Sequence, residues 1–316
     1  ISAGLSGIPL THSDVGGYAK APGHNRTFEV WKRWLTLEAF TPVMRTHHSS
    51  EPGSVIQWYS NTESRALFKR YARWHQRLLP YFMMLVEHAA NTGTPTCRPI
   101  WWGNEDQSDL FQIDTQLLVG PHLMIAPIVE EAVLERPVIF PTERWARWTD
   151  FDTPLEEPLN VREAMIEAAE TESILFVGSG AAIPLLTEDY DTMAIPKDNI
   201  ERVTDVKTAP EQITRLGFLL TPAGTSSGSL NNTTFGTTAW SWKAESTTSI
   251  DTEGAQLNGT PLSECSTSPQ ESCISSETTI SLVFENGEAQ TLTLSNGQAI
   301  FELESDTVTA LSLRLR

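Results

Sequence analysis

Two short apolar segments near the start of the chain each run directly into a cluster of polar residues. Residues 7–10 are followed by polar residues 11–18, and residues 40–44 are followed by residues 45–48. Between them, residues 27–40 place aromatic and aliphatic side chains on one face, which predicts an amphipathic helix. Strand, polar loop and helix repeated in this order indicate an α/β layer. Functional side chains directly after each strand are typical of a (β/α)8 barrel.

The barrel hypothesis meets one difficulty, because only two buried strands of this kind are present. A barrel needs eight strands, and two cannot close a sheet. A capping box at Ser60 and Glu63 predicts a long helical stretch that is interrupted at Pro80 and ends near Gly93. Residues 1–94 therefore form either a small α/β layer or the last two βα units of a barrel whose front is missing.

Short strands between turn residues dominate from about residue 95 onward. They predict a proximal β-domain over residues 95–190 and a distal β-domain over residues 191–316, each an antiparallel sandwich. Residues 161–171 are the exception, since their composition predicts a helix. The predicted fold class is thus α/β plus all-β. The strand candidates are residues 117–119, 123–129, 136–140, 173–177, 181–186, 216–221, 278–285, 289–294, 299–303 and 308–315.

The charge of the chain argues against two classes of partner. Its 316 residues carry 22 Lys+Arg against 40 Asp+Glu, a net charge of −18. Such a field disfavours sequence-independent nucleic-acid binding and adsorption to anionic membranes. The excess lies in residues 95–316, where it is expected to coat a solvated surface. The sequence contains no long apolar run that predicts a membrane span.

The three cysteines bear on location. Cys97 is expected to be a small buried hydrophobe. Cys265 and Cys273 bracket a polar loop that a disulfide can close, and this favours an exported chain, periplasmic or extracellular.

The candidate site residues are the polar side chains that follow the two strands. In one interpretation they recognise a sugar, because carboxylates and imidazoles exchange hydrogen bonds with hydroxyl groups and aromatic rings cover a pyranose face. In another, Asp14 and Arg45 pair only to hold the two loops together. A metal site using His12, Asp14 and either His47 or His48 is a third alternative, without a known metal-ligand spacing. The candidates are His12, Asp14, Tyr18, Arg45, His47 and His48.

Several motifs resemble glycoside hydrolase family 31. Gly7-Ile-Pro-Leu10 with His12-Ser-Asp-Val-Gly-Gly-Tyr18 is similar to the segment after the acid/base residue, and Phe40-Thr-Pro-Val-Met-Arg-Thr-His47 resembles the last barrel strand. Residues 78–99 resemble the final barrel helix and the exit from the barrel. Residues 114–129 and 145–148 resemble the following β-domain. The resemblance covers residues 4–187 in one consistent order.

This resemblance implies a retaining α-glycosidase with one aspartate as nucleophile and another as acid/base, about 5 Å apart. Both family positions precede Gly4, so the chain is expected to lack them, and Asp14 is not expected to be a catalyst. The chain alone is therefore predicted to be inactive, to need the N-terminal part of the same enzyme, and to expose apolar barrel surface that makes it associate or misfold. The implied substrate is an α-glycoside, and neither cofactor nor metal is implied.

Individual roles also follow from the resemblance. His47 matches a histidine that hydrogen-bonds ring hydroxyls where cleavage occurs. Asp14 and Arg45, with His12 beside them, match residues that support that subsite from beneath. Tyr18 matches a tyrosine that helps to bind the sulfonate in the sulfoquinovosidase branch, where many α-glucosidases of the family have Phe.

Two departures from that branch leave the substrate open between sulfonated and neutral glycosides. His48-Ser-Ser-Glu51 replaces Glu-Gly-Asn, and Gly178-Ser-Gly180 replaces Arg-Ala-Gly. An alternative hypothesis from another class is a non-catalytic carbohydrate-binding or adhesion module, in which Trp240 and Trp242 form a stacking platform. Core packing is the other use of that pair.

Overall fold

The computed structural model describes the first half of the chain almost completely and the second half mainly as strands. The described residues are 1–18, 26–47, 55–151, 153, 155–156, 158–186, 189, 215–221, 224–232, 236–244, 257–259, 278–283, 289–294 and 299–304. They divide into two compact units. The first unit comprises Ile1–His75 and Leu85–Gly178, and the second comprises Gln76–Met84 and Ser179–Arg316.

Among the described residues, four helices precede the strands, and capping signals in the sequence explain where α2 and α3 begin. They are α1 (Ser2–Leu5), α2 (Phe28–Glu38), α3 (Thr62–Arg77) and α4 (Leu79–Thr92). The amphipathic helix predicted over residues 27–40 is α2. Its first turn is capped by Thr27, whose hydroxyl accepts a hydrogen bond from the Val30 amide at 3.2 Å.

The start of α3 corrects one detail of the prediction. Asn61 Oδ1 accepts from the Ser64 amide at 2.7 Å, and Ser64 Oγ accepts from the Asn61 amide at 3.0 Å. This reciprocal pair satisfies the first amides of the helix, as a capping box does. Ser60, predicted to be the cap, instead accepts from the Gln57 amide at 2.8 Å. The cap therefore lies one residue later than predicted.

Two antiparallel sheets belong to the first unit. The strands are β1 (Cys97–Pro99), β2 (Leu117–Val119), β3 (Leu123–Ile125), β4 (Glu135–Ile139), β5 (Trp145–Arg147), β6 (Glu163–Glu167) and β7 (Leu175–Gly178), with a short 3-10 helix at Ser108–Gln112. One sheet has the order β1-β2-β3-β7-β5, and β4 pairs with β6. Their core is formed by large side chains that include Met124, Phe140, Trp145 and Phe176.

The helix predicted over residues 161–171 is wrong. Residues Glu163–Glu167 form β6, and Ala164 lies opposite Val138 of β4. Ile166 is buried in the core while its neighbours in the strand are less buried, which is the alternation of a strand. Pairing with β4 therefore overrides the helix propensity of Ala, Glu and Met.

The two apolar segments at residues 7–10 and 40–44 are not regular strands. They lead into one isolated parallel bridge, between Asp14 and Arg45. Ile8 and Leu10, predicted to be buried, are 57% and 40% exposed, so no described residue covers them fully. The expected pair of barrel strands is present only as this bridge.

The described residues of the second unit form three further antiparallel sheets. Its strands are β8 (Ala182–Leu185), β9 (Arg215–Leu220), β10 (Gly224–Asn232), β11 (Gly236–Ala244), β12 (Leu257–Gly259), β13 (Thr278–Val283), β14 (Ala289–Leu294) and β15 (Ala299–Glu304). The sheets have the orders β15-β9-β8, β10-β11 and β12-β13-β14. The prediction that the sheets are antiparallel is confirmed. The strand predicted at 308–315 and the possible bridge between Cys265 and Cys273 lie outside the described residues.

Candidate functional site

The two polar segments predicted to carry the site lie side by side. We call residues 11–18 the first polar segment and residues 45–47 the described part of the second. Asp14 and Arg45 form a parallel bridge, in which the amide of Val15 donates to the carbonyl of Arg45 at 2.8 Å. Neighbouring parallel strands bring their following loops to the same edge, so this bridge places the candidate side chains of both segments together.

Asp14 and Arg45 also form an ion pair. Arg45 Nε lies 3.2 Å from Asp14 Oδ1, and His12 Nε2 lies 3.9 Å from the same oxygen. The Asp14 side chain is 8% exposed, whereas that of Arg45 is 49% exposed. The carboxylate is thus held beneath the surface by an arginine that itself reaches solvent. The pair predicted to hold the two loops together is present, and His12 stands beside it.

Tyr18 and His47, predicted to bind the sugar, are stacked on one another. Their ring centroids lie 3.9 Å apart with an interplanar angle of 28°. His47 Nδ1 lies 3.1 Å from the main-chain oxygen of Tyr18, and Tyr18 is 63% exposed. The pair combines an exposed aromatic surface with an imidazole and a phenol that exchange hydrogen bonds with hydroxyl groups.

Arg26 joins both polar segments and was not identified from the sequence. Its Nε donates to the Gly16 carbonyl at 2.7 Å, one terminal nitrogen donates to the Gly17 carbonyl, and the other donates to the His47 carbonyl at 3.2 Å. Burial lowers the pKa of Arg26, and the negative charge of Asp14 opposes that change. An arginine just before a helix cap has no sequence signature. The glycine pair at Gly16 and Gly17 is the sequence feature that allows a close approach to the backbone here.

Glu38 forms a second buried connection, between Ser13 of the first polar segment and Thr41 of the apolar residues that precede the second. One carboxylate oxygen accepts from the Ser13 hydroxyl, and the other accepts from Thr41 Oγ1 at 3.0 Å. Trp34 Nε1 donates to Ser13 Oγ at 2.7 Å, which fixes the direction of that hydroxyl. Burial raises the pKa of Glu38, while the bonds from Ser13 and Thr41 lower it. Glu38 falls on the apolar side of α2, where the sequence predicted only core packing.

The carbonyl of His47 is held from two sides. Gln57, which is only 2% exposed, donates from Nε2 to this carbonyl at 2.7 Å, alongside the bond from Arg26. A buried amide used in this way positions main chain rather than ligand. His48 lies outside the described residues.

The metal alternative names His12, Asp14 and either His47 or His48, and three of these lie among the described residues. Among them, no group of three or more His, Cys, Asp or Glu side chains is arranged to hold a metal ion. His12 faces Asp14, whereas His47 is stacked on Tyr18. Within the same part of the chain, no helix has the length and apolar character needed to cross a membrane.

Comparisons with known proteins identify the class of protein. The model of the glycosyl hydrolases family 31 TIM-barrel domain matches residues 1–85, and that of the glycosyl hydrolase family 31 C-terminal domain matches residues 93–183. The chain therefore belongs to glycoside hydrolase family 31, which confirms the resemblance found in its motifs. The two matches meet near residues 85–93, where the predicted barrel portion ends.

Three relatives illustrate the similarity. The sulfoquinovosidase of Escherichia coli K12 is 33% identical over 150 residues, which are 47% of this chain and 22% of that protein. Alpha-glucosidase 2 of Bacillus thermoamyloliquefaciens is 29% identical over 216 residues, 65% of this chain and 26% of that protein. A solved sulfoquinovosidase from E. rectale, in complex with an aza-sugar inhibitor, has 30% identity and a TM-score of 0.52, covering 57% of this chain and 26% of that one. The chain thus spans about a quarter of the length of these relatives.

Proposed function

We propose that this chain is the C-terminal part of a retaining α-glycoside hydrolase that cleaves O-glycosidic bonds. The supporting observation is the stacked Tyr18–His47 pair, which stands beside the bridge between the two polar segments. In this proposal His47 hydrogen-bonds ring hydroxyls of the sugar, and Tyr18 binds a substituent of the same ring. Asp14, Arg45 and His12 hold the two segments in register beneath them.

Asp14 is not the catalytic carboxylate in this proposal. Retaining glycosidases need two carboxylates about 5 Å apart on opposite sides of the scissile bond. The Asp14 side chain is 8% exposed and paired with Arg45, and Glu38 is buried among hydroxyl groups. Neither is presented to a substrate. The nucleophile and the acid/base are therefore proposed to lie in the N-terminal part of the same enzyme.

Hydrolysis assays on two forms of the protein test this proposal. The purified 316-residue chain is expected to release no aglycone from aryl α-glucosides or aryl α-sulfoquinovosides, whereas the enzyme that includes the upstream barrel is expected to do so. In the longer enzyme, His47→Ala is expected to reduce the stabilisation of the transition state by about 2–4 kcal/mol, since it removes hydrogen bonds to the reacting ring. Turnover by the 316-residue chain that Asp14→Asn abolishes would refute the assignment of the catalytic residues.

The substituent bound by Tyr18 defines the branch of the family. We infer that Tyr18 donates from its hydroxyl to a sulfonate oxygen, directly or through a water molecule, as a phenol at an exposed edge can do. Tyr18→Phe in the longer enzyme is then expected to lower kcat/KM for an aryl sulfoquinovoside by about tenfold, the scale of one hydrogen bond to a charged group, and to leave the aryl glucoside nearly unchanged. An equal loss for both substrates would contradict sulfonate recognition by this hydroxyl.

A further inference from the structure

We propose that Arg26 is a positioning residue, whose guanidinium keeps Tyr18 and His47 stacked by binding main-chain carbonyls on both polar segments. This inference rests on the proposed function in one respect, because that proposal assigns sugar binding to the stacked Tyr18–His47 pair. Arg26 itself is not a catalytic residue, because all of its described hydrogen bonds go to the protein main chain.

The bonding pattern of Arg26 converges on the residues that carry the pair. Two donors bind the carbonyls of Gly16 and Gly17, and the second of these glycines directly precedes Tyr18. A third bond reaches the carbonyl of His47 at 3.2 Å, and a weaker one reaches the carbonyl of Ile56 at 3.4 Å. One planar group thus ties three separate stretches of chain. Five donors in a fixed fork make this possible for arginine and not for lysine.

The first polar segment is shaped around the Arg26 side chain. Gly16 and Gly17 have φ angles of +75° and +94°, which turn their carbonyls to one side. A Cβ atom on Gly16 would lie 2.8 Å from Arg26 Cδ and 3.0 Å from Nε. The glycine therefore allows the arginine to pass directly against the backbone. The Arg26 side chain and the backbone at Gly16 therefore form a specific, closely packed contact.

The energetic argument also favours positioning. Removing the guanidinium would take a donor from four carbonyls in a half-buried place, and only that of His47 keeps a second donor, from Gln57. The cheapest response is for the loop to move until water reaches these oxygens. Because Tyr18 directly follows Gly17, its ring is expected to leave His47 when these residues move.

The test observes the ring stack directly and needs no sugar. In the longer enzyme that includes the upstream barrel, labelled at histidine Cε1, stacking on Tyr18 shifts the His47 proton upfield, and Tyr18→Ala defines the unstacked position. Arg26→Ala is expected to lose most of this shift, and Arg26→Lys a large part of it. Guanidinium ion, added far below denaturing concentrations, is expected to restore the shift in Arg26→Ala but not in Tyr18→Ala.

Arg162→Ala is the matched control. Arg162 also binds a main-chain carbonyl, that of Phe140 at 2.8 Å, and pairs with Asp109, but it touches neither polar segment. This variant is expected to leave the His47 signal unchanged. If Arg26→Ala does not fold, Arg26→Lys and its His47 shift decide the question. A His47 signal at the wild-type position in a folded Arg26 variant would overturn the inference, whatever the hydrolysis assays show.

Discussion

Replacing Glu38 by glutamine or alanine tests whether its buried carboxylate carries charge at neutral pH. Burial is the largest influence on this group, and it raises the pKa of Glu38 in the folded chain. A raised folded-state pKa means that the stabilising contribution is complete below the unfolded pKa and is lost as pH rises through the folded value. Glutamine mimics the protonated state at every pH. Glu38→Gln should therefore match the wild type in acid and exceed its stability near neutral pH.

The hydrogen bonds around Glu38 set the size of this effect. In Glu38→Gln the side-chain amide oxygen can accept from Ser13, and the amide nitrogen can donate to Thr41 Oγ1, whose own proton can turn to the Val43 carbonyl 3.1 Å away. The number of bonds is then conserved, and relief from the buried charge should make Glu38→Gln more stable than the wild type at neutral pH. Glu38→Ala instead removes the acceptors and leaves a cavity, at a cost of about 2–3 kcal/mol.

Urea unfolding followed by tryptophan fluorescence measures both variants. Eight of the ten tryptophans lie at or before Trp148, in the first unit, so the signal reports the part of the chain that contains Glu38. Titrations between about pH 4 and about pH 8 cover the expected change. Exchange of the Val15 amide, which donates to the Arg45 carbonyl, shows whether the bridge loosens along with the network.

Glu29→Gln is the matched control, because Glu29 is on the same helix and its pKa is displaced the opposite way. The Ala132 amide donates to its carboxylate at 2.9 Å and is the largest cause of a lowered pKa. The ionised Glu29 carboxylate contributes stability above its unfolded pKa. Glu29→Gln should therefore lose stability relative to the wild type as pH rises. The reasoning is refuted if Glu38→Gln is less stable than the wild type at neutral pH, or if its pH profile runs parallel to the wild-type one.

Three other predictions concern the backbone, a buried imidazole and a buried thiol. Gly16→Ala and Gly17→Ala share about 1–2 kcal/mol of backbone strain. Gly16→Ala should cost more in urea titrations, because its Cβ meets Arg26 whereas no described residue lies within 4 Å of a Cβ at Gly17. Burial lowers the pKa of His122 to about 4, so stability should fall as pH drops from about 6.5 towards 4, and His122→Gln should flatten that slope. Burial raises the pKa of Cys97 to about 11, so peptide mapping should find it alkylated slowly at pH ~8 until the chain is unfolded.

Elements with strong local periodicity were predictable from the sequence. The helix α2 and the strand Leu117–Val119 lie where their apolar patterns place them, because burial of one face and local propensity agree there. Residues 161–171 show the opposite case, since their propensity is helical but β4 offers a partner strand and the core accepts Ile166. No local pattern contains that information, which belongs to residues about 25 positions earlier in the chain.

The sequence predicted the side chains that the candidate site presents, but not the buried residues that hold them in place. The side chains of His12, Asp14, Tyr18, Arg45 and His47 stand together because they follow two apolar segments, and that order is visible in the sequence. Arg26 and Glu38 have no such signature, since each acts through carbonyl or hydroxyl partners that only folding brings near. A positive charge before a helix and an acid on its inner face are ordinary features until those partners are known.

Arg26 and Glu38 suggest how the two polar segments keep their geometry before any sugar is bound. Arg26 binds the main-chain oxygens of Gly17, next to Tyr18, and of His47. Glu38 accepts hydrogen bonds from Ser13, within the first polar segment, and from Thr41, which precedes the second. The bridge between Asp14 and Arg45 lies between these two connections along the chain. Segments held at several points by protein groups lose little conformational entropy when a ligand binds, so this arrangement favours a preformed geometry for the proposed sugar subsite.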